Sequence, residues 1–287
     1  MFPELFSTRE LRKAIDGSVD WLVTEYADSF EALTQPFLSL LIWLEQILRG
    51  APWWSVILVI AALTFAASRS WLMSAGMACL LFFIGAIGLW DQGMQTLALM
   101  MVATGLSIII GIPIGILMAS YDRFRRIMLP VLDIMQTMPS FVYLIPVVML
   151  FGLGKVPAIF ATIIYAVPPL IRLTDLGIRL VDSDVLEASR AFGASRKQQL
   201  FGVQLPLALP NIMAGINQTT MMALAMVVIA SMIGARGLGQ EVLIGINRLE
   251  VGRGLLAGLA IVALAILFDR ITQALGKRMT APQQGDQ

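Results

Sequence analysis

From Gln95 to Ser120 the chain reads QTLALMMVATGLSIIIGIPIGILMAS, without a single charged residue. A helix needs about 20 mostly apolar residues to cross the hydrocarbon core of a bilayer. Comparable runs recur at 53–67, 71–90, 127–151, 156–178, 207–233 and 254–275. They are too long for the alternating ten-residue strands of a membrane barrel, and lipid offers no partners to open backbone. The sequence therefore predicts an all-α, polytopic helical membrane protein with about seven spans. Charged residues make up only 14% of the chain, against about 25% in a soluble domain.

Several classes of function are excluded by what is missing. The net charge of +1 provides no basic field for nucleic acid. There is no His, and the lone Cys79 cannot form a disulfide within the chain. Most metal sites and any Ser-His triad are thereby ruled out. Within MACLLFF, Cys79 reads as a small buried hydrophobe. No glycine-rich phosphate loop with its Lys is present. An enzyme in the membrane would need paired acid/base groups at depth, and a secondary transporter would need ion ligands there. Neither set is visible.

The start is mixed and polar, without the basic and apolar regions of a cleaved signal peptide. Residues 37–48 are too short for a span and fit an interfacial amphipathic helix. It would bury Phe37, Leu40, Leu41, Leu44 and Leu48 in the outer leaflet and leave Glu45 among the headgroups. Orientation follows Lys and Arg. Arg69, Arg123, Arg125, Arg126, Arg179, Arg190, Arg196, Lys197, Arg270, Lys277 and Arg278 fall on one side of the seven spans. Arg49, Lys155, Arg236, Arg248 and Arg253 fall on the other. The expected organisation is an external tail (1–50), two peripheral spans (51–92), a five-span core (93–278) with a cytoplasmic loop at 182–206, and a cytoplasmic tail (279–287). Were 37–48 a full span, the tail would lie inside and the spans would number eight.

Inside that loop, EASRAFGASRKQQLFGVQLP (187–206) is polar between two hydrophobic spans. Asp184 followed by Glu187 reads as an acidic capping box, starting a helix near Val185. Gly193 is suited to the left-handed turn that ends it. Ser195 followed by Gln198 reads as a second capping box, and Pro206 marks the return to the bilayer.

The same residues resemble a known pattern. Glu187-Ala188-Ser189, Gly193, Val203, Leu205 and Pro206 are similar to the EAA loop of ATP-binding-cassette (ABC) importer permeases, with Ser189 for the last Ala and Val203 for Ile. The runs at 132–179 and 229–274, and the span opening Gln95-Thr96-Leu97, resemble the permeases for glycine betaine, choline, proline betaine and related quaternary amines. The resemblance covers roughly 53–277. It implies a type I importer permease in a bacterial cytoplasmic (inner) membrane, with a cytoplasmic C-terminus. It implies a homodimer with two ATPase subunits that use ATP and Mg, a separate periplasmic substrate-binding protein, and no cofactor or catalysis in this chain. The loop would be the helix that docks into the ATPase. An amino acid or trimethylamine N-oxide is the alternative cargo, because selectivity in such systems rests largely with the binding protein.

Polar groups within spans are costly and mark functional candidates. Asp133 and Arg172 each lie about six residues from the cytoplasmic end of a span, roughly 9 Å deep, and can pair as a clamp or a gate. Gln136, Thr137, Asn217, Gln218, Thr219 and Thr220 lie nearer the centre, either bonding helices together or lining a hydrated path. Phe141, Tyr143 and Tyr165 either pack between helices or offer aromatic faces for a quaternary ammonium, which has no N–H to donate. The outer stretch 234–254 carries a short amphipathic helix near 240–246. Its Arg236, Glu241, Arg248, Glu250 and Arg253 are either a dock for the binding protein or a solvated connection.

This topology has a direct test. In a Cys79→Ala background, single cysteines at Ser18, Ser195 and Gln284 are exposed to an impermeant thiol reagent on intact cells with a permeabilised outer membrane. Only position 18 is expected to react. Labelling at 195 inverts the core. Protection at 18 alone means eight spans.

Overall fold

The structure, a computed structural model, describes residues 8–280. Each apolar run becomes helix, and the breaks fall where the backbone chemistry demands them. Helix α1 (Thr8–Glu25) leads into α2 (Ala27–Gly50), which turns by 109° at Ala51-Pro52 into α3 (Trp53–Ser68). Ala51 is extended, as a residue before proline prefers. A hairpin joins α3 to α4 (Trp71–Ala86). Arg69 caps α3 in the left-handed region, and the Ser70 hydroxyl caps α4 by accepting the Met73 N–H at 3.4 Å.

Next come α5 (Trp90–Ser120), α6 (Asp122–Thr137), α7 (Ser140–Phe151) and α8 (Lys155–Arg179). Two short helices, α9 (Ser183–Ala191) and α10 (Arg196–Gln199), follow. A π-helical turn over Leu200–Gln204 leads into α11 (Leu205–Ala230), so helix is continuous across Arg196–Ile233. Pro206 and Pro210 lack the N–H that an α-helical ladder needs, and the wider turn sits where that ladder fails. The chain ends in α12 (Leu238–Arg248) and α13 (Val251–Thr280).

Among the described residues, four helical stretches are long and apolar enough to cross a bilayer, or six if each bent pair counts as one span. The expected span at 71–90 is α4, only 16 residues long. The expected span at 127–151 is not one rod. It divides into α6 and α7, bent by 102° at Met138-Pro139, where Met138 is extended before the proline. The short interfacial helix expected at 37–48 is the second half of the longer α2, and its stripe packs on protein. Leu41 is buried, and Phe37, Leu44 and Leu48 lie on the core built by α5, α7, α8 and α11, while Leu40 points away. Cys79, expected inside, is exposed on the outer surface of α4.

At the centre, α8 lies between α5 and α11, and glycines set the spacing. A Cβ on Gly115 of α5 would sit 2.5 Å from the Thr174 Cβ and 2.9 Å from the Ile171 carbonyl oxygen. One on Gly177 of α8 would sit 2.7 Å from the Asn211 Cβ of α11. Backbones this close give dispersion contacts that lipid cannot replace. Gly115→Val and Gly177→Val should each cost about 1–3 kcal/mol through overpacking. Gly76→Val, where no atom lies within 4 Å of a new Cβ, should be tolerated. The measurement is the thermal unfolding midpoint of the detergent-solubilised protein.

Candidate functional site

The loop between α8 and α11 is an ordered helical hairpin. The Asp182 side chain accepts the Asp184 N–H at 2.9 Å, so α9 begins at Ser183 and Asp182 is its cap. This corrects the expected start at Val185 under an Asp184 cap. Asp184 instead lies in the first turn and Arg190 in the last, both favourable to the helix dipole. The helix ends in a Schellman motif. The Ala194 N–H bonds the Ser189 carbonyl at 3.1 Å, and the Gly193 N–H bonds that of Arg190 at 2.9 Å. Gly193 has φ +81°, a conformation that side chains other than Gly strain to adopt. Ser195 and Gln198 form the reciprocal capping box read from the sequence.

One side chain fastens this hairpin, and it was not singled out from the sequence. Gln199 is buried. Its amide donates to the Leu186 carbonyl and to the Ser189 hydroxyl, both at 2.9 Å. The serine that replaces the usual Ala thus gains a partner inside the turn. Glu187, Ala188 and Phe192 are among the residues that the hairpin shows to solvent. Phe192 is 93% exposed at the tip, an aromatic group with no cover.

Where α8 meets the loop, a carboxylate is buried. Asp175, 3% exposed, accepts from Arg125 Nε at 2.8 Å and from Arg179 Nε at 2.9 Å. Arg179 also reaches Asp122 at 2.7 Å and the Met118 carbonyl at 3.0 Å. One network thus joins the end of α5, the start of α6 and the end of α8. Asp175 was missed by the sequence reading because its run ends only four residues later, where a solvated position is the default.

Asp133 and Arg172 are brought together as an ion pair between α6 and α8. The Asp133 side chain is nevertheless 64% exposed in the single chain. It stands on the amphipathic α6, six residues before the bend at Pro139. Gln136, Thr137 and Phe141 are exposed on the same α6–α7 unit. Tyr143 is buried, donates to the Met135 carbonyl and meets half-buried Tyr165 edge-on at 5.8 Å between ring centroids. Those two rings therefore pack on each other. Asn217 is committed elsewhere. It donates to Asp269 at 3.1 Å and accepts from Thr272 at 2.6 Å, binding α11 to α13, while Gln218 stays exposed.

At the opposite end, α12 is packed tightly. The Thr96 hydroxyl accepts the Leu238 N–H at 2.8 Å, and Glu241 is held by Arg253 at 2.7 Å and Gln92 at 3.4 Å. Glu241 and Arg253 therefore brace α12 against α13. Glu250 joins Arg253 at 3.4 Å, while Arg236 and Arg248 are exposed. Nearby, Glu45 leaves no charge among headgroups. It is buried against Lys155 at 2.5 Å and Arg49 at 3.4 Å, with Arg49 also on Asp91 at 3.2 Å.

Residues 111–281 match the family model described as "Binding-protein-dependent transport system inner membrane component". The chain is 52% identical over 265 residues to the glycine betaine/proline betaine transport system permease protein ProW of Escherichia coli K12, covering 92% of this chain and 74% of that one. It is 44% identical to the glycine betaine transport system permease protein OpuAB of Bacillus subtilis 168, covering 92% and 93%. Among solved structures, a chain of the inward-facing MetNI methionine ABC transporter superposes with a TM-score of 0.55 at 25% identity, covering 66% of this chain and 92% of that one.

The two charge networks should behave differently. Asp175→Ala leaves Arg125 and Arg179 without their buried carboxylate and should destabilise the protein by about 1–3 kcal/mol, since both guanidinium groups are about a third exposed and Arg179 keeps Asp122. Asp133→Ala breaks a half-exposed pair and should cost less, about 1 kcal/mol or below. Asp133→Ala with Arg172→Ala should cost less than the sum of the two. Thermal unfolding of all four proteins provides the check. Strict additivity at 133 and 172 would show that the pair does not form.

Proposed function

The chain belongs to the family of binding-protein-dependent transport system inner membrane components, and from that premise we propose how its surfaces divide the import of a quaternary-amine solute. It is a multi-pass permease subunit of an ABC importer and not an enzyme; the ATP is hydrolysed by a partner chain. Glycine betaine or proline betaine, named for its relatives, is the proposed cargo.

The observation that carries the reading is the capped α9 hairpin with bare Phe192 at its tip. A rigid turn fixed by Gln199, Gly193 and two helix caps is suited to transmit force. An uncovered aromatic is the residue type that anchors protein interfaces. In the proposed assembly Phe192 enters the ATPase and Glu187 sets the charge beside it. Each of two permease copies engages one ATPase.

The pathway runs between the copies. Asp133, Gln136 and Thr137 are exposed in the single chain, and lipid is a costly neighbour for them. A water-filled seam against a second copy satisfies them. Phe141, 52% exposed, supplies the aromatic face there. Tyr143, Tyr165 and Asn217 serve packing. The end bearing Arg236 and Arg248 receives a separate external binding protein. The end bearing α9 faces the cytoplasm. Gly276 of α13 packs on Met213 in the first half of α11, which places the end of α13 on the α9 side. The C-terminus is then cytoplasmic, in the bacterial inner membrane.

The test uses the full transporter in proteoliposomes, with ATP hydrolysis and uptake measured on the same preparation. Phe192→Ala should reduce uptake about tenfold or more, in the range of an interface anchor. Gly193→Val should do the same by straining the turn. Both proteins should insert at normal abundance. Normal uptake in both overturns the docking role.

A further inference from the structure

At the end of the bundle that carries α12, three aromatic rings from three helices line one cavity of about 380 Å³. Trp53 opens α3, Trp90 opens α5, and Phe82 stands four residues before the end of α4. Among the described residues, Ile57, Gly85 and Ala86 complete the lining. The fold brings the rings together, because α3, α4, α5 and α13 share one apolar core through Val56, Leu81, Ile84, Leu97 and Leu264. Trp53 and Phe82 lie 6.3 Å apart between ring centroids, tilted by 59°. Trp90 lies over the backbone of α4, where a Cβ on Gly85 would sit 3.4 Å from its ring.

A lone indole at a helix end is explained as an anchor at the headgroup level. Anchors point singly into the headgroups, whereas these three rings share a concavity. Its volume falls in the range of small-molecule sites, roughly 300–1,000 Å³. Aromatic faces attract a cation that comes within about 6 Å of the centroid, Trp most strongly. A cation seated between Trp53 and Phe82 stands within that distance of both. A primary ammonium would give up hydrogen bonds to water on entering. A trimethylammonium has no N–H and gives up none, so ring faces suit it. Phe82 lies about 6 Å from the end of α4, which keeps the charge close to the headgroups and leaves the rest of a small solute in water.

We propose that Trp53, Phe82 and Trp90 form a cage for the trimethylammonium group of a solute such as glycine betaine. The choice of solute rests on the cargo and orientation proposed above, in which this end of the bundle is external. The cage is built on α3, α4 and α5 and not on the α6–α7 unit, so it is a second site for the solute and not the pathway. Its readout is equilibrium binding without ATP, so this proposal and the transport reading fail separately.

The experiment follows the full transporter, labelled with 5-fluorotryptophan, by fluorine NMR in nanodiscs of phosphatidylglycerol. This chain has six Trp, and Trp53→Phe, Trp71→Phe and Trp90→Phe assign three of their resonances. Glycine betaine should shift those of Trp53 and Trp90 along one saturating curve and leave Trp71, at the opposite end of α4, unmoved. The carbon isostere 3,3-dimethylbutanoate keeps the shape and the carboxylate and lacks the positive charge. It should bind about fivefold more weakly or worse, the worth of one strong ring–cation contact. Phe82→Leu should weaken glycine betaine by about the same factor, and Phe82→Tyr, which keeps a ring, should retain it. Equal binding of the carbon isostere overturns the proposal, as does unchanged binding by the Leu variant. An equal response at Trp71 marks a bulk solvent effect and overturns it too. Shifts produced by phosphatidylcholine in the nanodisc and not by glycine betaine assign the cage to a lipid headgroup, and that result overturns the proposal as well. The absence of any shift, as for rings that serve only as anchors or a cavity filled by residues 1–7, does the same.

Discussion

The approach of α8 to its two neighbours governs where every other group stands. With Gly115 against Thr174 and Gly177 against Asn211, the three backbones are closer than any side chain permits. Without a hydrophobic drive between helices in lipid, such contacts are what hold a bundle together. They fix the end of α8, and with it Asp175, Arg172 and Arg179. Those three hold α6 through ion pairs to Arg125, Asp133 and Asp122, and the end of α5 through the hydrogen bond from Arg179 to the Met118 carbonyl. The α9 hairpin leaves from the same end of α8. A displacement of that end therefore reaches the loop and α6 together.

How much of this was legible follows from the range of each signal. Runs of apolar residues are local, so the helices were readable, and so were Gly193, Ser195 and Gln198, whose partners lie within a few positions. The bends at Pro52 and Pro139 were half legible. Proline marks a break, but whether a broken run still forms one rod depends on what packs beside it. Leu41 and Phe37 find protein partners across more than fifty residues of sequence, so α2 packs on the core and not solely on lipid. No periodicity within α2 distinguishes the two.

The polar residues illustrate the same limit more sharply. Depth counted along a span assumed a straight helix, whereas Asp133 stands on an exposed face of α6 ahead of a bend. Asn217 read as either a bond between helices or a pathway residue, and its partners are Asp269 and Thr272 on α13. Tyr143 read as either packing or an aromatic face, and its hydroxyl is taken by Met135. Residue type shows that a polar group needs a partner, while only the fold shows which. Gln199 and Asp175 were passed over for the converse reason. Both lie in stretches where a solvated side chain is the default, and long-range packing buries them.

Helix α6 is attached to α8 at two points of unequal strength. Arg125 and Asp133, eight residues apart on α6, bind Asp175 and Arg172, three apart on α8. At 1.5 Å per residue these spacings are about 12 Å and 4.5 Å, a difference that the long arginine side chains take up. Leu132, with Phe124, Met128, Leu129 and Met135 of α6, makes the apolar part of the joint against Val167 and Ile171. Interdigitated cores resist small shifts, because packed side chains lose contact abruptly. A half-exposed ion pair exchanges its partner for water at about 1 kcal/mol or less. The pair near the loop is buried and strong, and the pair near the bend is exposed and weak. Of the two attachments of α6, the one at Arg125 and Asp175 is therefore the harder to break and the one at Asp133 and Arg172 the easier.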